Sequence, residues 1–321
     1  RLKRMRLRLD RLGLAGVEAF EAAEFGALDH LVIVFEDWPE RSDLLERALT
    51  SRALSTVRTA RIEVRGAPID GDFVSAIVDS RLYRNARMIE LVAKLENLKW
   101  KYEEGTTGRG RTSMGMINST GCTSVWGSTY PFNPYPFPWA NHLFQDSPSM
   151  AMGIFEGHMA KMAEGFKAIR KAELELEGKY DPAEHDKFFT YFNWEQFTDE
   201  EWELCPPVVA VGGDGAMYDI GFQNLSRLMA SGKPIKVLVV DTQVYSNTGG
   251  QACTSGFIGQ VSDMAQYGKA IQGKYEPRKE IGLIGMAHRT TYVMQSTMAH
   301  PNHMIEGFIQ GLKARRPALF N

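Results

Sequence analysis

The sequence predicts an α/β protein whose mainly parallel sheet is flanked by helices, with a small α/β segment ahead of it. Two observations predict this. Pro207-Val208-Val209-Ala210-Val211 is an apolar run that ends in the turn Gly212–Gly215; a helical stretch from Met217 to Ala230 follows, closed by Gly232, and Ile235–Val240 is a second apolar run. Strand, glycine turn, helix and strand in this order make a βαβ unit, whose crossover leaves the two strands parallel. The second observation is the apolar run His30–Phe35, set between Glu18–Leu28 and Arg41–Ser55, which both read as helix.

Composition bounds the rest. The 321 residues are 44% hydrophobic and 24% charged with 30 glycines, as in an ordinary α/β protein, and suffice for one large or two medium domains. A formal net charge of -2 supplies no field to collect phosphates, which excludes a general nucleic-acid binder. No run reaches the roughly 18 apolar residues of a membrane span. Three scattered cysteines, Cys122, Cys205 and Cys253, make no disulfide framework and point to a reducing, cytoplasmic setting.

Along the chain, the basic start (Arg1, Lys3, Arg4, Arg6, Arg8, Arg11) has no apolar core or small-residue cleavage site and reads as a solvated helix face rather than a targeting peptide. Both ends read as cut: the first residue is Arg1, and Ala318–Asn321 reads as an unfinished strand. Glu103–Arg111 is polar and glycine-rich and marks a boundary. It divides residues 1–100, a connecting or packing segment, from a ligand-binding domain over 101–321 that is shortened at its end. Met114–Asn118 reads as a strand, and Trp126–Trp139, with prolines at 131, 134, 136 and 138, as an irregular loop. Asp146-Ser147-Pro148 is a helix start. The stripe Phe155, Met159, Met162, Phe166, Ile169 then has helical spacing and packs into the core. The charged stretch Lys171–Glu203 reads as a surface excursion.

The chemistry lies at the carboxyl ends of the two strands of the βαβ unit, where ligands of parallel sheets bind. Glycines allow close approach of a backbone, and a helix start offers free N–H groups to a diphosphate. A single carboxylate between them, Asp214 in Gly213-Asp214-Gly215, suits a hard cation such as Mg2+. On its own such a turn is often only a turn. After the next strand comes Asp241–Gln251, where the Thr242 hydroxyl and the Val244 carbonyl could join Asp214 on one metal.

These residues carry a resemblance. Gly-Asp-Gly with a following Asn-containing loop is similar to the thiamine-diphosphate signature. GDGAMYDIG (213–221), DTQVYSNTGGQ (241–251), STGCTSVWGSTYP (119–131) and PWANHLFQDSPSMAMG (138–153) resemble the pyruvate:ferredoxin/flavodoxin oxidoreductase family over roughly residues 113–321. The resemblance implies a thiamine-diphosphate-binding fold and an enzyme that oxidatively decarboxylates a 2-oxo acid, pyruvate above all. Coenzyme A would take the acyl group, and electrons would pass through iron–sulfur clusters to ferredoxin or flavodoxin. It also implies other domains or subunits and a homodimer.

Residue by residue, the resemblance makes Asp214, Thr242 and Val244 the Mg2+ ligands and puts Asn247 beside the reacting substrate. Gly213, Gly215, Ala216, Tyr218, Asp219, Tyr245, Thr248 and Gly249 would surround the cofactor. Cys122 would bind a 4Fe-4S cluster.

The sequence departs from the family in two places. Residues 1–121 hold no cysteine, so the CxxC pair that such a cluster needs is missing, and one thiolate cannot hold a cluster. No motif is found for the glutamate that activates the aminopyrimidine, so a complete site needs another chain or segment. Two alternatives stay open: a non-oxidative thiamine-dependent decarboxylase or carboligase, and a redox-inactive structural homologue. Cys253 and Cys205 read as packing. His300 and His303 have no clustered partners for zinc. Trp126, Trp139 and Phe144 either wall the site or pack in the core.

Overall fold

The computed structural model describes residues 4–22, 30–35, 47–49, 51, 54, 57, 59–64, 81–127, 132–142, 146–265 and 272–321. Phe144 and most of Arg41–Ser55 lie outside them. The chain forms two compact units, one of residues 1–100 with 168–180, the other of 101–167 with 181–321.

In the first unit β1 (Arg4–Arg8), β2 (His30–Phe35) and β3 (Thr59–Val64) form a parallel sheet in that order. From Arg4 to Arg8 the basic start is therefore a strand and not a helix face, while Arg11 lies in the helix that follows. Arg4, Arg6 and Arg8 alternate with Met5 and Leu7, and that period of two belongs to a strand. Helix α1 spans Leu9–Glu21, so it begins well before the expected Glu18. Its Val17 and Phe20, three apart on one face, are buried, as are Leu31 and Ile33 of β2. Helix α2 (Arg81–Glu103) ends at the polar stretch read as a boundary.

The second unit holds a six-stranded, fully parallel sheet. Its strands are β4 (Gly115–Ser119), β5 (Trp139–His142), β6 (Val208–Gly213), β7 (Lys236–Val240), β10 (Tyr292–Met294) and β11 (Ala318–Phe320), in the order β10-β11-β7-β6-β4-β5. Ile117, Ala210, Val237 and Leu319 are buried in its interior strands, which read as near-continuous apolar runs because helices cover both faces. Short strands β8 (Val244–Tyr245) and β9 (Gln251–Ala252) pair antiparallel as a hairpin. The proline-rich stretch is irregular over 132–138, as expected; a short helix, α3 (Cys122–Gly127), overlaps its start, and β5 begins at its last residue.

Helix α4 (Ser147–Leu176) starts at the expected cap, and Phe155, Met159 and Phe166 of its stripe are buried. Lys171–Glu203 is not merely a surface excursion. It carries α5 (Pro182–Thr190) and α6 (Asp199–Glu203), and the buried Phe189, Phe192 and Phe197 anchor it; the Phe166 and Phe197 rings meet edge to face at 4.8 Å. Helices α7 (Phe222–Ala230), α8 (Ile281–Ala287) and α9 (Pro301–Lys313) complete the unit.

Candidate functional site

Register decides what meets at the carboxyl end of this sheet. Gly213 of β6 pairs with Val240 of β7, so the residues that follow, Asp214 and Asp241–Thr242, leave the sheet side by side. On the other side β4 pairs with β6 as far as Asn118 with Val211, which brings Ser119–Cys122 to the same end. After β6 the chain makes a tight π-type turn over Gly215–Asp219 before α7. A methyl group on Gly215 would stand 2.9 Å from the Tyr245 ring, and one on Gly212 would stand 2.8 Å from Met217. The Tyr245 ring thus requires a glycine at 215, whereas at 212 the nearest atom is the yielding end of the Met217 side chain.

Asp214 is buried, at 3% exposure. Its Oδ2 accepts from the Thr242 hydroxyl at 2.7 Å and the Thr242 amide at 3.1 Å. Its Oδ1 accepts from the Gln243 amide at 2.8 Å and the Ser255 hydroxyl at 2.5 Å. Thr242 Oγ1 lies 3.1 Å from the Val244 carbonyl oxygen and 3.1 Å from Ser246 Oγ. Carboxylate, hydroxyl and carbonyl thus converge in one corner.

The donor set fits Mg2+. Ligands at about 2.1 Å in an octahedron stand roughly 3.0 Å apart along each edge. The two measured oxygen separations, 2.7 and 3.1 Å, bracket that length. All three donors are hard oxygens, as Mg2+ prefers. Gln243 takes positive φ (68°), which turns its amide back onto Asp214 and Asp241.

Around this corner the charges are ordered. Burial pushes the Asp214 carboxyl above its usual range, and neighbouring Asp241 adds to the push. Burial acts the same way on Asp241, but hydrogen bonding with Asp214 and the Arg278 guanidinium outweigh it and hold Asp241 below. Arg278 reaches Asp241 at 2.5 Å and the Ser255 carbonyl at 3.0 Å. A bound cation would favour ionised Asp214 and reverse its shift.

The remaining expected residues divide into two groups. Asn247, Thr248 and Gly249 are exposed in a short turn after β8, with Gly249 at positive φ (116°). The Asn247 amide donates to Cys122 Sγ at 3.0 Å, so Cys122 stands at this loop. Thr248 bonds to Gln251 within the hairpin. By contrast, Ala216 and Tyr218 are buried. The Tyr218 hydroxyl is held by Asp241 and Asn321, at 3.0 and 3.1 Å. The Asp219 carboxylate is occupied by Tyr245, Thr254 and Lys279. These three side chains work within the fold and leave only backbone for a ligand.

Cys253, Ser255 and Arg278 adjoin the site but carry no motif spacing, and Gln243, inside the 241–251 string, has no role assigned to it by the resemblance. Cys253, read as packing, is indeed buried, yet its sulfur lies 2.9 Å from Ser255 Oγ and 4.0 Å from Asp214 Oδ1. The three cysteines are free, and among the described residues no three His, Cys, Asp or Glu side chains form a metal cluster. A four-thiolate cluster does not fit the residues of this chain. Trp139 opens β5, and His303 bonds to Ser296. A cavity of about 680 Å³, lined by Asp241, Gln243, Arg278 and Phe320 among others, adjoins the corner without including Asp214.

The chain is similar to several known proteins. Residues 203–321 match the family described as thiamine pyrophosphate enzyme, C-terminal TPP binding domain. The pyruvate-flavodoxin oxidoreductase of Klebsiella pneumoniae is 29% identical over 216 residues, 57% of this chain and 18% of that protein. The pyruvate:ferredoxin oxidoreductase of Moorella thermoacetica is 30% identical over 243 residues, 64% of this chain and 20% of that protein. The chain therefore spans about a fifth of the length of these relatives. Among solved structures, 2-oxoglutarate:ferredoxin oxidoreductase from Magnetococcus marinus aligns over 72% of this chain and 60% of that one, with TM-score 0.46 and 16% identity.

Proposed function

We propose that the chain is part of a pyruvate:ferredoxin/flavodoxin oxidoreductase-like enzyme, with a thiamine pyrophosphate-binding C-terminal domain, and that it anchors the cofactor with which that enzyme oxidatively decarboxylates a 2-oxo acid. Pyruvate is the favoured substrate and ferredoxin or flavodoxin the acceptor, both taken from the names of the relatives; coenzyme A as acyl acceptor follows from the family's reaction. The observation that carries the reading is the convergence of Asp214 Oδ2, Thr242 Oγ1 and the Val244 carbonyl at magnesium-ligand spacing.

In this reading Asp214, Thr242 and Val244 hold Mg2+, and the Gly213–Gly215 turn presents its backbone to the diphosphate. With Thr242 Oγ1 engaged on the cation, Ser246 Oγ at 3.1 Å accepts its hydrogen. When bound, thiamine diphosphate supplies a nucleophilic carbon and an electron sink for decarboxylation. Asn247, exposed beside the corner, offers its side-chain amide to the substrate. No electron step is assigned to Cys122, because a 4Fe-4S cluster needs three more thiolates than this loop presents.

Titrating the chain with thiamine diphosphate, with Mg2+ and then with EDTA, tests the anchor. Binding should require the metal, and undiminished affinity in EDTA refutes the assignment. Pyruvate-dependent reduction of a viologen dye tests completeness. The chain alone should bind cofactor without turnover, because the activating glutamate comes from elsewhere. Robust turnover by these 321 residues overturns that part of the reading.

A further inference from the structure

We propose that Ser255, backed by Cys253, is a positioning residue that decides which oxygen of Asp214 faces the cation. This rests on the reading of Asp214, Thr242 and Val244 as the metal corner, and goes beyond it to residues with no place in the motifs.

Ser255 is fully buried at 0% exposure, and its hydroxyl reaches Asp214 Oδ1 at 2.5 Å. The Gln243 amide reaches the same oxygen at 2.8 Å. Two donors thus occupy Oδ1. The other oxygen, Oδ2, stands 2.7 Å from Thr242 Oγ1, inside the oxygen triangle. A carboxylate turns freely about its last bond unless one oxygen is held. Ser255 and Gln243 supply that hold on Oδ1, while Oδ2, met by the Thr242 amide at 3.1 Å, faces the oxygen triangle and the metal.

Proton counting adds Cys253. With a cation bound, Asp214 is ionised and only accepts, so the one hydroxyl hydrogen of Ser255 goes to Oδ1. Cys253 Sγ lies 2.9 Å from Ser255 Oγ, and with that hydrogen committed, the thiol must be the donor in this contact. Cys253 is therefore a neutral thiol that points the Ser255 hydroxyl at Asp214. Thr254, between them, faces the other way and donates to Asp219. A turn over 253–256, closed by the Gly256 amide donating to the Cys253 carbonyl at 3.2 Å, leaves 253 and 255 on Asp214 and 254 on Asp219. One tripeptide so fixes both carboxylates of the glycine turn.

The test is divalent-cation binding to the full chain in the presence of thiamine diphosphate, with Mg2+ followed by calorimetry and Mn2+ by electron paramagnetic resonance. Loss of a partner behind a metal ligand weakens the metal by roughly 10- to 100-fold. Ser255→Ala should show that loss and an altered Mn2+ spectrum, with little change in the melting temperature of the metal-free chain. Ser255→Thr should restore affinity, and Cys253→Ala should fall between. Should Ser255→Ala not fold, Ser255→Cys keeps a weaker donor and should give a graded loss.

Metal affinity in Ser255→Ala within about a factor of three of the parent, while Asp214→Asn abolishes binding, overturns this inference and leaves the site standing. Undiminished binding in Asp214→Asn overturns both. A lower melting temperature with unchanged metal affinity marks Ser255 as purely structural and also overturns it.

Discussion

Asp214→Asn is the sharpest single perturbation of the proposed site. It removes one negative charge from a residue that is 3% exposed, and it presents an amide nitrogen to donors that now find a carboxylate oxygen. If the nitrogen takes the Oδ2 position, it faces the Thr242 amide and hydroxyl; if it takes Oδ1, it faces Gln243 and Ser255. Either way a donor opposes a donor, and the cation loses its only charged ligand in the corner. Removing one member of a buried pair of opposite charges costs about 3–5 kcal/mol. At about 1.4 kcal/mol per decade this is roughly a 10²- to 10⁴-fold weaker dissociation constant. The metal-free chain should remain folded, since burial already pushes the Asp214 carboxyl towards its neutral form and the amide has nearly the same volume. Calorimetric titration of thiamine diphosphate at fixed Mg2+, paired with a thermal melt in EDTA, measures both. A dissociation constant within about a factor of ten of the parent, with an unchanged melt, refutes Asp214 as the metal ligand.

Gly215→Ala places a methyl 2.9 Å from the Tyr245 ring, which its hydroxyl ties to Asp219, so the ring has little room to yield. Overpacking of this kind costs about 1–3 kcal/mol, read as a lower urea midpoint together with weaker cofactor binding; an unchanged midpoint contradicts the packing argument. Lys236, 1% exposed and bonded to the Ala314 and Arg316 carbonyls, has its ammonium brought down by burial to about 8. The unfolded lysine keeps its proton to about pH 10.4. Between these values the unfolded chain binds the extra proton, so stability rises with pH there, by at most about 3 kcal/mol. Lys236→Met should flatten that rise in urea midpoints taken at about pH 8 and pH 9.5, and a parent–variant difference constant across that range refutes it. Alkylation followed by mass spectrometry should modify Cys122 first, because Cys253 is buried and burial with Glu201 pushes the Cys205 thiol up to about 12. Earlier labelling of Cys205 counts against this.

Much of the second unit was legible because its strands are short apolar runs bounded by glycine and proline. Val208–Gly213 and Lys236–Val240 could be read as parallel from one glycine turn and one helix between them. The first unit was less legible. Arg4–Arg8 shows the reason: six basic residues in the first eleven signal a solvated face, and the alternation of Met5 and Leu7 that makes a strand is a weaker signal than the charge. Lys171–Glu203 misled in the same way, its charges masking the phenylalanines that pin it.

By itself the sequence determined the local chemistry: which residues could offer a cation oxygen, where a backbone must bend, and which family the strings resemble. The tertiary structure decided what those residues meet. Sheet register set Gly213 opposite Val240 and so brought Thr242 to Asp214. Chain crossing placed Ser255 and Cys253 behind that carboxylate and Arg278 on Asp241, and turned Tyr218 and Asp219 away into the fold. A motif is contiguous, and sequence can carry it. A hydrogen bond between residues 41 positions apart depends on where the strands come to lie, and only the folded chain holds that information.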